Sequence, residues 1–97
     1  MIHIVKRDKI IKIDGHADYQ DTNDIVCASV SSIMYTTVNA LLKYNDKSIK
    51  YEDDGDIVTI KILKTDKVIN ILIDNMMSLF KSLVTNYPDN VKIEEEE

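Results

Sequence analysis

The chain has a single cysteine in its 97 residues, so it can form no internal disulfide. Its stability must come from a packed core, and a reducing compartment is expected. Proline occurs once and glycine twice, which leaves little material for long flexible linkers. Positive charge is also scarce: 12 Lys and Arg against 17 Asp and Glu give a net charge of −5. Phosphate contacts need clustered Lys and Arg, so no direct nucleic-acid binding is expected, whereas a basic protein partner suits the charge. No apolar run approaches the roughly 18 residues of a membrane span, and the first segment reads as a strand closely followed by charges. Neither a membrane nor a secretory leader is expected. The cytoplasm is the expected address.

What is present reads as one domain. An apolar share of 44% and a charged share of 30% belong to an ordinary globular protein of one core. Ile2 to Lys6 has strand composition, Arg7-Asp8-Lys9 predicts a three-residue turn, and Ile10 to Asp14 completes a hairpin. Asp14-Gly15 breaks the strand, and the polar stretch from His16 to Asn23 reads as a loop. A helix is predicted from about Asp24 to Tyr44, because Val26, Val30, Ile33, Met34, Val38, Leu41 and Leu42 recur at spacings of three and four. Thr22 or Asn23 is expected to cap it. Lys47 to Glu52, the turn Asp53-Asp54-Gly55-Asp56 and Ile57 to Lys64 form a second hairpin. Thr65 or Asp66 caps a second helix with Ile69, Leu72, Ile73, Met76, Phe80, Leu83 and Val84 on its buried face. Pro88 ends that helix near Asn86 or Tyr87. Val91 to Ile93 adds a last strand, followed by a short acidic tail at 94–97.

The predicted fold is therefore α+β in two layers, with the order β-β-α-β-β-α-β. A mainly antiparallel sheet of four or five strands carries two amphipathic helices on one face. Alternation places Val5, Ile10, Ile57 and Leu63 on the other face. That face is then more apolar than solvent favours, and a second copy of the chain is expected to cover it.

Chemistry concentrates in Gly15-His16-Ala17, Asp24-Ile25-Val26-Cys27-Ala28 and Val30-Ser31. With the helix starting near Asp24, Cys27 falls at its first turn, where unpaired N–H groups and the helix dipole suit a thiolate. His16, on the preceding loop, is positioned to take the thiol proton, and the same N–H groups would hold an oxyanion. Ser31 lies one turn beyond Cys27 on the same face. Asp24 is the first choice to orient His16, and Asp18 the second. Other readings stand beside this one. A lone cysteine on a helix is most often a small buried hydrophobe. Cys27 and His16 are also half of a metal site, with Asp18 as a third ligand, but the spacing of well-defined zinc sites is missing. No cofactor or metal is expected.

These three segments together resemble the signature of the ribosomal-processing cysteine proteases, the Prp family. The opening hairpin, the Asp54-Gly55 turn, the second helix and Tyr87-Pro88 before Val91-Lys92-Ile93 extend the resemblance over nearly the whole chain. It implies a cysteine protease with Cys27 as nucleophile and His16 as catalytic histidine. Asp24 and Ser31 are the supporting acid and hydroxyl, and Gly15 turns the backbone before the histidine. It also implies a homodimer that removes the N-terminal extension of ribosomal large-subunit protein twenty-seven, with an apolar groove beside Cys27. One departure is the stretch 18–23, which holds no glycine where the family often has small residues. A non-catalytic ribosome-assembly binding module of the same fold and a thiol sensor built on Cys27 are the rival expectations. A sensor has no need for His16, Asp24 and Ser31 together, and a binder needs no thiol. The acidic turn at 52–56 resembles a calcium loop only superficially, since it lacks the acidic ligand at the twelfth position.

Overall fold

The computed structural model describes residues 1–15 and 21–96, with side chains given for 1–15 and 25–96. The order is β1 (Ile2–Arg7), β2 (Ile10–Asp14), α1 (Asp21–Tyr44), β3 (Ile49–Asp53), β4 (Ile57–Ile62), α2 (Lys67–Asn86) and β5 (Val91–Glu96). The strands form one five-stranded sheet in the order β3-β4-β2-β1-β5, antiparallel throughout except for the parallel pair β1 and β5. The predicted α+β architecture is the one observed.

Alternation along each strand builds the core. Ile2, Ile4, Ile11, Ile13, Ile60 and Val91 are buried on one side of the sheet. Val26, Val30, Met34, Val38 and Leu41 supply the stripe from α1, and Ile69, Ile73, Met76, Met77 and Phe80 supply that from α2. All belong to one apolar cluster. Both helices are long and apolar enough to cross a membrane by length and composition. In this fold their apolar stripes are spent on the sheet instead. Ser48 is wholly buried where α1 returns to β3, and its hydroxyl donates to the Leu41 carbonyl at 3.1 Å. That bond satisfies a polar group which would otherwise destabilise the core.

Some boundaries differ from the sequence reading. The first turn has two residues, Asp8 and Lys9, because Arg7 pairs directly with Ile10. Asp8 takes φ +51°, a left-handed conformation that aspartate tolerates better than most residues. Helix α1 begins at Asp21, so Thr22 and Asn23 are helical residues rather than its caps, and the predicted loop is shorter. Glu94, Glu95 and Glu96 are not a solvated tail but strand residues paired with Val5, Lys6 and Arg7. Arg7 Nε meets Glu96 Oε2 at 3.2 Å and Lys81 Nζ meets Glu95 Oε2 at 3.3 Å. Such exposed pairs add at most about 1 kcal/mol each, so the backbone ladder and buried Val91 hold β5 in place.

The outer face of the sheet is also more polar than expected. Val5, Ile10 and Ile57 do point there, but Val5 stands between Lys12 and Glu94, and Ile10 between Lys61 and Arg7. Ile57 pairs with Asp14, and Leu63 lies beyond the end of β4. Glu52 adds ion pairs to Lys50 and Lys61 on the same face. Counting strand by strand missed these cross-strand charges, which break the apolar residues into isolated side chains. This face therefore gives no reason of its own for a second copy to cover it.

Of the two predicted caps, Thr65 and Asp66, it is Asp66 that caps α2. Its carboxylate accepts from the Ile69 N–H at 2.8 Å and from the Tyr44 hydroxyl at 2.6 Å, tying the end of α1 to the start of α2. The Ile69 N–H first, then the Tyr44 hydroxyl, hold its carboxyl below the ordinary 3.8. A depressed folded-state value stabilises the fold above about pH 4, and this stability fades as the pH falls through that lower value. Asp66→Ala is expected to lower the melting temperature by about 5 °C at neutral pH. Asp66→Asn should keep the cap but lose the acid-dependent part. Thermal melts from pH 7 to pH 2 check both; unchanged melting of Asp66→Ala at neutral pH would refute the cap.

Candidate active site

Cys27 is half-buried on α1, between the buried Val26 and the exposed Ala28. Because α1 starts at Asp21, Cys27 is the seventh helical residue and stands in the second turn rather than the first. The unpaired N–H groups of the helix belong to its first four residues. The oxyanion donors and dipole effect expected directly at Cys27 are therefore displaced by about one turn. This is a correction to the sequence reading, which placed Cys27 at the first turn.

A cavity of about 150 Å³ opens beside the thiol. Cys27, Ser31 and Tyr35 line it from α1, at successive spacings of four that bring one side chain per turn to the same face. Ile2, Ile13, Val30, Met34 and Val58 give it apolar lining, joined by Asp53 at the end of β3 and by Gly55 and Asp56 on the β3–β4 turn. A larger open groove of about 470 Å³ runs between α1 and α2 along Ala28, Ser29, Ser32 and Leu79. Neither Cys27 nor Ser31 lines that groove, so size alone does not locate the chemistry.

Gly15 also lines the Cys27 cavity. It adopts φ +131°, which disfavours any residue with a side chain, and a Cβ there would collide with the Met1 carbonyl oxygen and lie 2.8 Å from Ile2 Cα. Gly15 is covalently followed by His16. His16 and Asp18 lie outside the described residues, and so does the side chain of Asp24, whose backbone is in the first turn of α1. Of the six residues singled out from the sequence, Gly15, His16, Asp18, Asp24, Cys27 and Ser31, the described structure thus brings Cys27, Ser31 and Gly15 to one cavity.

Sequence reading missed Tyr35, Asp53 and Asp56. Tyr35 carried a usable signal, since it continues the spacing from Cys27 through Ser31. Its ring leans on Tyr51, with centroids 6.3 Å apart and planes at 55°. Burial first, then Tyr35 and Asp53, push the Tyr51 phenol well above its ordinary range. It donates to Asp53 Oδ2 at 3.5 Å, while the Gly55 N–H donates to Asp53 Oδ1 at 2.9 Å.

A single thiol, set over a mixed five-stranded sheet and open to a small cavity with a hydroxyl one turn away, defines a compact α+β thiol protein. The chain belongs to the family described as cysteine protease Prp, whose sequence model matches residues 1–92. A curated relative, the ribosomal processing cysteine protease Prp of Staphylococcus aureus, is 27% identical over 85 residues, covering 84% of this chain and 80% of the relative. Among solved structures, that of an essential ribosomal processing protease Prp from S. aureus in complex with a substrate peptide superposes with TM-score 0.84 at 20% identity. The match covers 98% of this chain and 97% of that one. SMU.848 from Streptococcus mutans superposes with TM-score 0.82 at 24% identity, over 98% of this chain and 91% of its own. These two likenesses establish the shared fold.

Proposed function

We propose that the chain is a cysteine endopeptidase in which Cys27 is the nucleophile and His16 the base. Its proposed substrate is the N-terminal extension of ribosomal large-subunit protein twenty-seven, trimmed in the cytoplasm during ribosome assembly. The observation that carries this reading is that Cys27, Ser31 and Gly15, three residues of the family signature, line one cavity. Membership of a cysteine protease family supports the reaction class. The ribosomal-processing role of the curated relative supports the substrate.

In this reading His16 takes the Cys27 proton and the thiolate attacks the carbonyl carbon of the scissile peptide. The imidazolium returns the proton to the leaving amine, leaving a thioester on Cys27. Water, deprotonated by the same imidazole, then hydrolyses the thioester and restores the thiol. Asp24 orients the imidazole. Incubation with a peptide spanning the extension should give two products whose masses sum to substrate plus one water. Binding without cleavage would overturn the reading in favour of a docking module.

Ser31 tests how far the site extends. Ser31 is one turn from Cys27 and lines the same cavity, and in this reading its hydroxyl holds the thiolate or the bound peptide in line. Ser31→Ala is expected to melt near wild type and to cleave about tenfold more slowly, a barrier change of about 1.4 kcal/mol. Equal rates would reduce Ser31 to a packing residue. We further propose a homodimer, on family resemblance alone. Sedimentation showing only the 11.1 kDa chain at micromolar concentration would refute it.

A further inference from the structure

We propose that the Tyr35 ring sets the size of the largest apolar side chain of a bound peptide that the Cys27 cavity admits. This rests on the protease reading and adds one determinant of substrate choice to it.

The contrast between Tyr35 and the rest of the lining carries the inference. Ile2, Ile13, Val30 and Met34 are buried members of the core, and close packing behind them leaves no room to retreat. Tyr35 is 48% exposed and is the only ring among the described lining residues. It follows Cys27 by two turns of α1, about 12 Å along the axis. Helical side chains lean back toward the N-terminus, which directs the ring toward Ser31 and the thiol. An extended peptide leaving the thiol covers that distance in about three or four residues. Behind the ring stands Tyr51, which does not itself line the cavity. Its ring is 6.3 Å away and tilted by 55°, within the range of attractive aromatic pairs, so swinging Tyr35 aside would forfeit that contact. The side chain admitted is apolar. Val58 joins the four core residues in the lining, and each oxygen of Asp53 already accepts a bond, from the Gly55 N–H and the Tyr51 hydroxyl. Asp56 is partnered as well. An apolar cavity of about 150 Å³ is enough for one benzene-sized group. The limit therefore falls between a benzyl side chain and a fused double ring.

Two measurements on the full chain test this. Since Cys27 is the sole cysteine, thiol reagents report on this cavity alone. Benzyl methanethiosulfonate and its naphthylmethyl counterpart each form a disulfide with the Cys27 thiolate, displacing methanesulfinate. The ratio of benzyl to naphthylmethyl rate, relative to that of free cysteine, is expected to be about tenfold or more. Tyr35→Ala should lower it at least about threefold, and Tyr35→Leu, a milder truncation, should lower it less. Tyr35→Phe keeps the ring and should keep the ratio. Leu79→Ala, an equally exposed position on the separate α1–α2 groove, should also leave it unchanged. A ratio equal to that of free cysteine, or the same in wild type, Tyr35→Ala and Tyr35→Leu, would overturn the proposal. So would a fall in Tyr35→Phe as large as that in Tyr35→Ala. The second measurement is cleavage of a peptide library, with products identified by mass. Wild type should exclude Trp from one position within about four residues of the cut, and Tyr35→Ala should admit it there about tenfold better. Cleavage with the same Trp tolerance in both would overturn the substrate inference and leave the protease reading intact. No cleavage at all, with the reagent ratio still responding to Tyr35→Ala, would overturn the protease reading while the size limit at the cavity stands.

Discussion

Cys27→Ala is expected to fold like the wild type and to leave the extension peptide uncut, with a rate loss of at least about a thousandfold. Removing the sulfur removes the covalent step, and the remaining cavity can only bind. The structural cost is small because Cys27 is half-buried at the cavity rather than locked in the core. Loss of one sulfur atom there should cost about 1 kcal/mol. Cys27→Ser keeps the shape and supplies a hydroxyl, a far weaker nucleophile than a thiolate. The two variants together separate volume from chemistry. Circular dichroism melts and product masses, taken on one preparation, check the prediction. Substantial cleavage by either variant would remove Cys27 from the mechanism.

Gly15→Ala is expected to be the most destabilising single methyl addition in the chain. Two costs fall on one position. The backbone at φ +131° is strained for any L side chain, an effect of about 1–3 kcal/mol. The added Cβ also meets the Met1 carbonyl and Ile2 Cα, which are backbone atoms and cannot rotate away. Gly55 provides the control, since it has φ +96° but nothing within 4 Å of where a methyl group would stand. Gly55→Ala should therefore show the strain alone, and Gly15→Ala should exceed it by at least about 1–2 kcal/mol. Against a total stability of about 5–15 kcal/mol, Gly15→Ala stands to unfold much of the population at 37 °C. Urea unfolding of both variants decides it. Equal losses would mean that the β1 backbone yields, and that Gly15 serves the turn only.

The contrast between what was legible and what was not follows the range of the interactions. Local signals were read correctly: the stripe Val26, Val30, Met34, Val38 and Leu41, the Asp66 cap, and the Asp53-Asp54-Gly55-Asp56 turn. Each is fixed by neighbours within a few residues. The start of α1 was misplaced because Asp21, Thr22 and Asn23 are weak helix formers that more often sit at caps. The strand character of Glu94 to Glu96 was missed because it depends on pairing with β1, far away in sequence. The outer sheet face was misjudged for the same reason, since Lys12, Lys61 and Glu94 break up the apolar residues only once the strands are in register. At the site, residue types and spacing offered Cys27 and Ser31 as candidates, and their roles came from the resemblance to the Prp family. Residue types and spacing could not lead to Asp53 and Asp56, which reach the cavity through the path of the β3–β4 hairpin.

The parallel pairing of β1 with β5 sets an order of events during synthesis. The ribosome makes Ile2–Arg7 long before Val91–Glu96, yet these strands lie side by side. Until β5 emerges, the outer edge of β1 carries unpaired backbone groups on an isoleucine-rich strand, a ready template for pairing with another nascent chain. The hairpin and α1 can form earlier, but the sheet cannot close from partial chains. The Cys27 cavity has Ile2 of β1 in its wall, so its final shape waits on that late strand. A nascent chain thus carries its thiol long before the cavity around that thiol is complete.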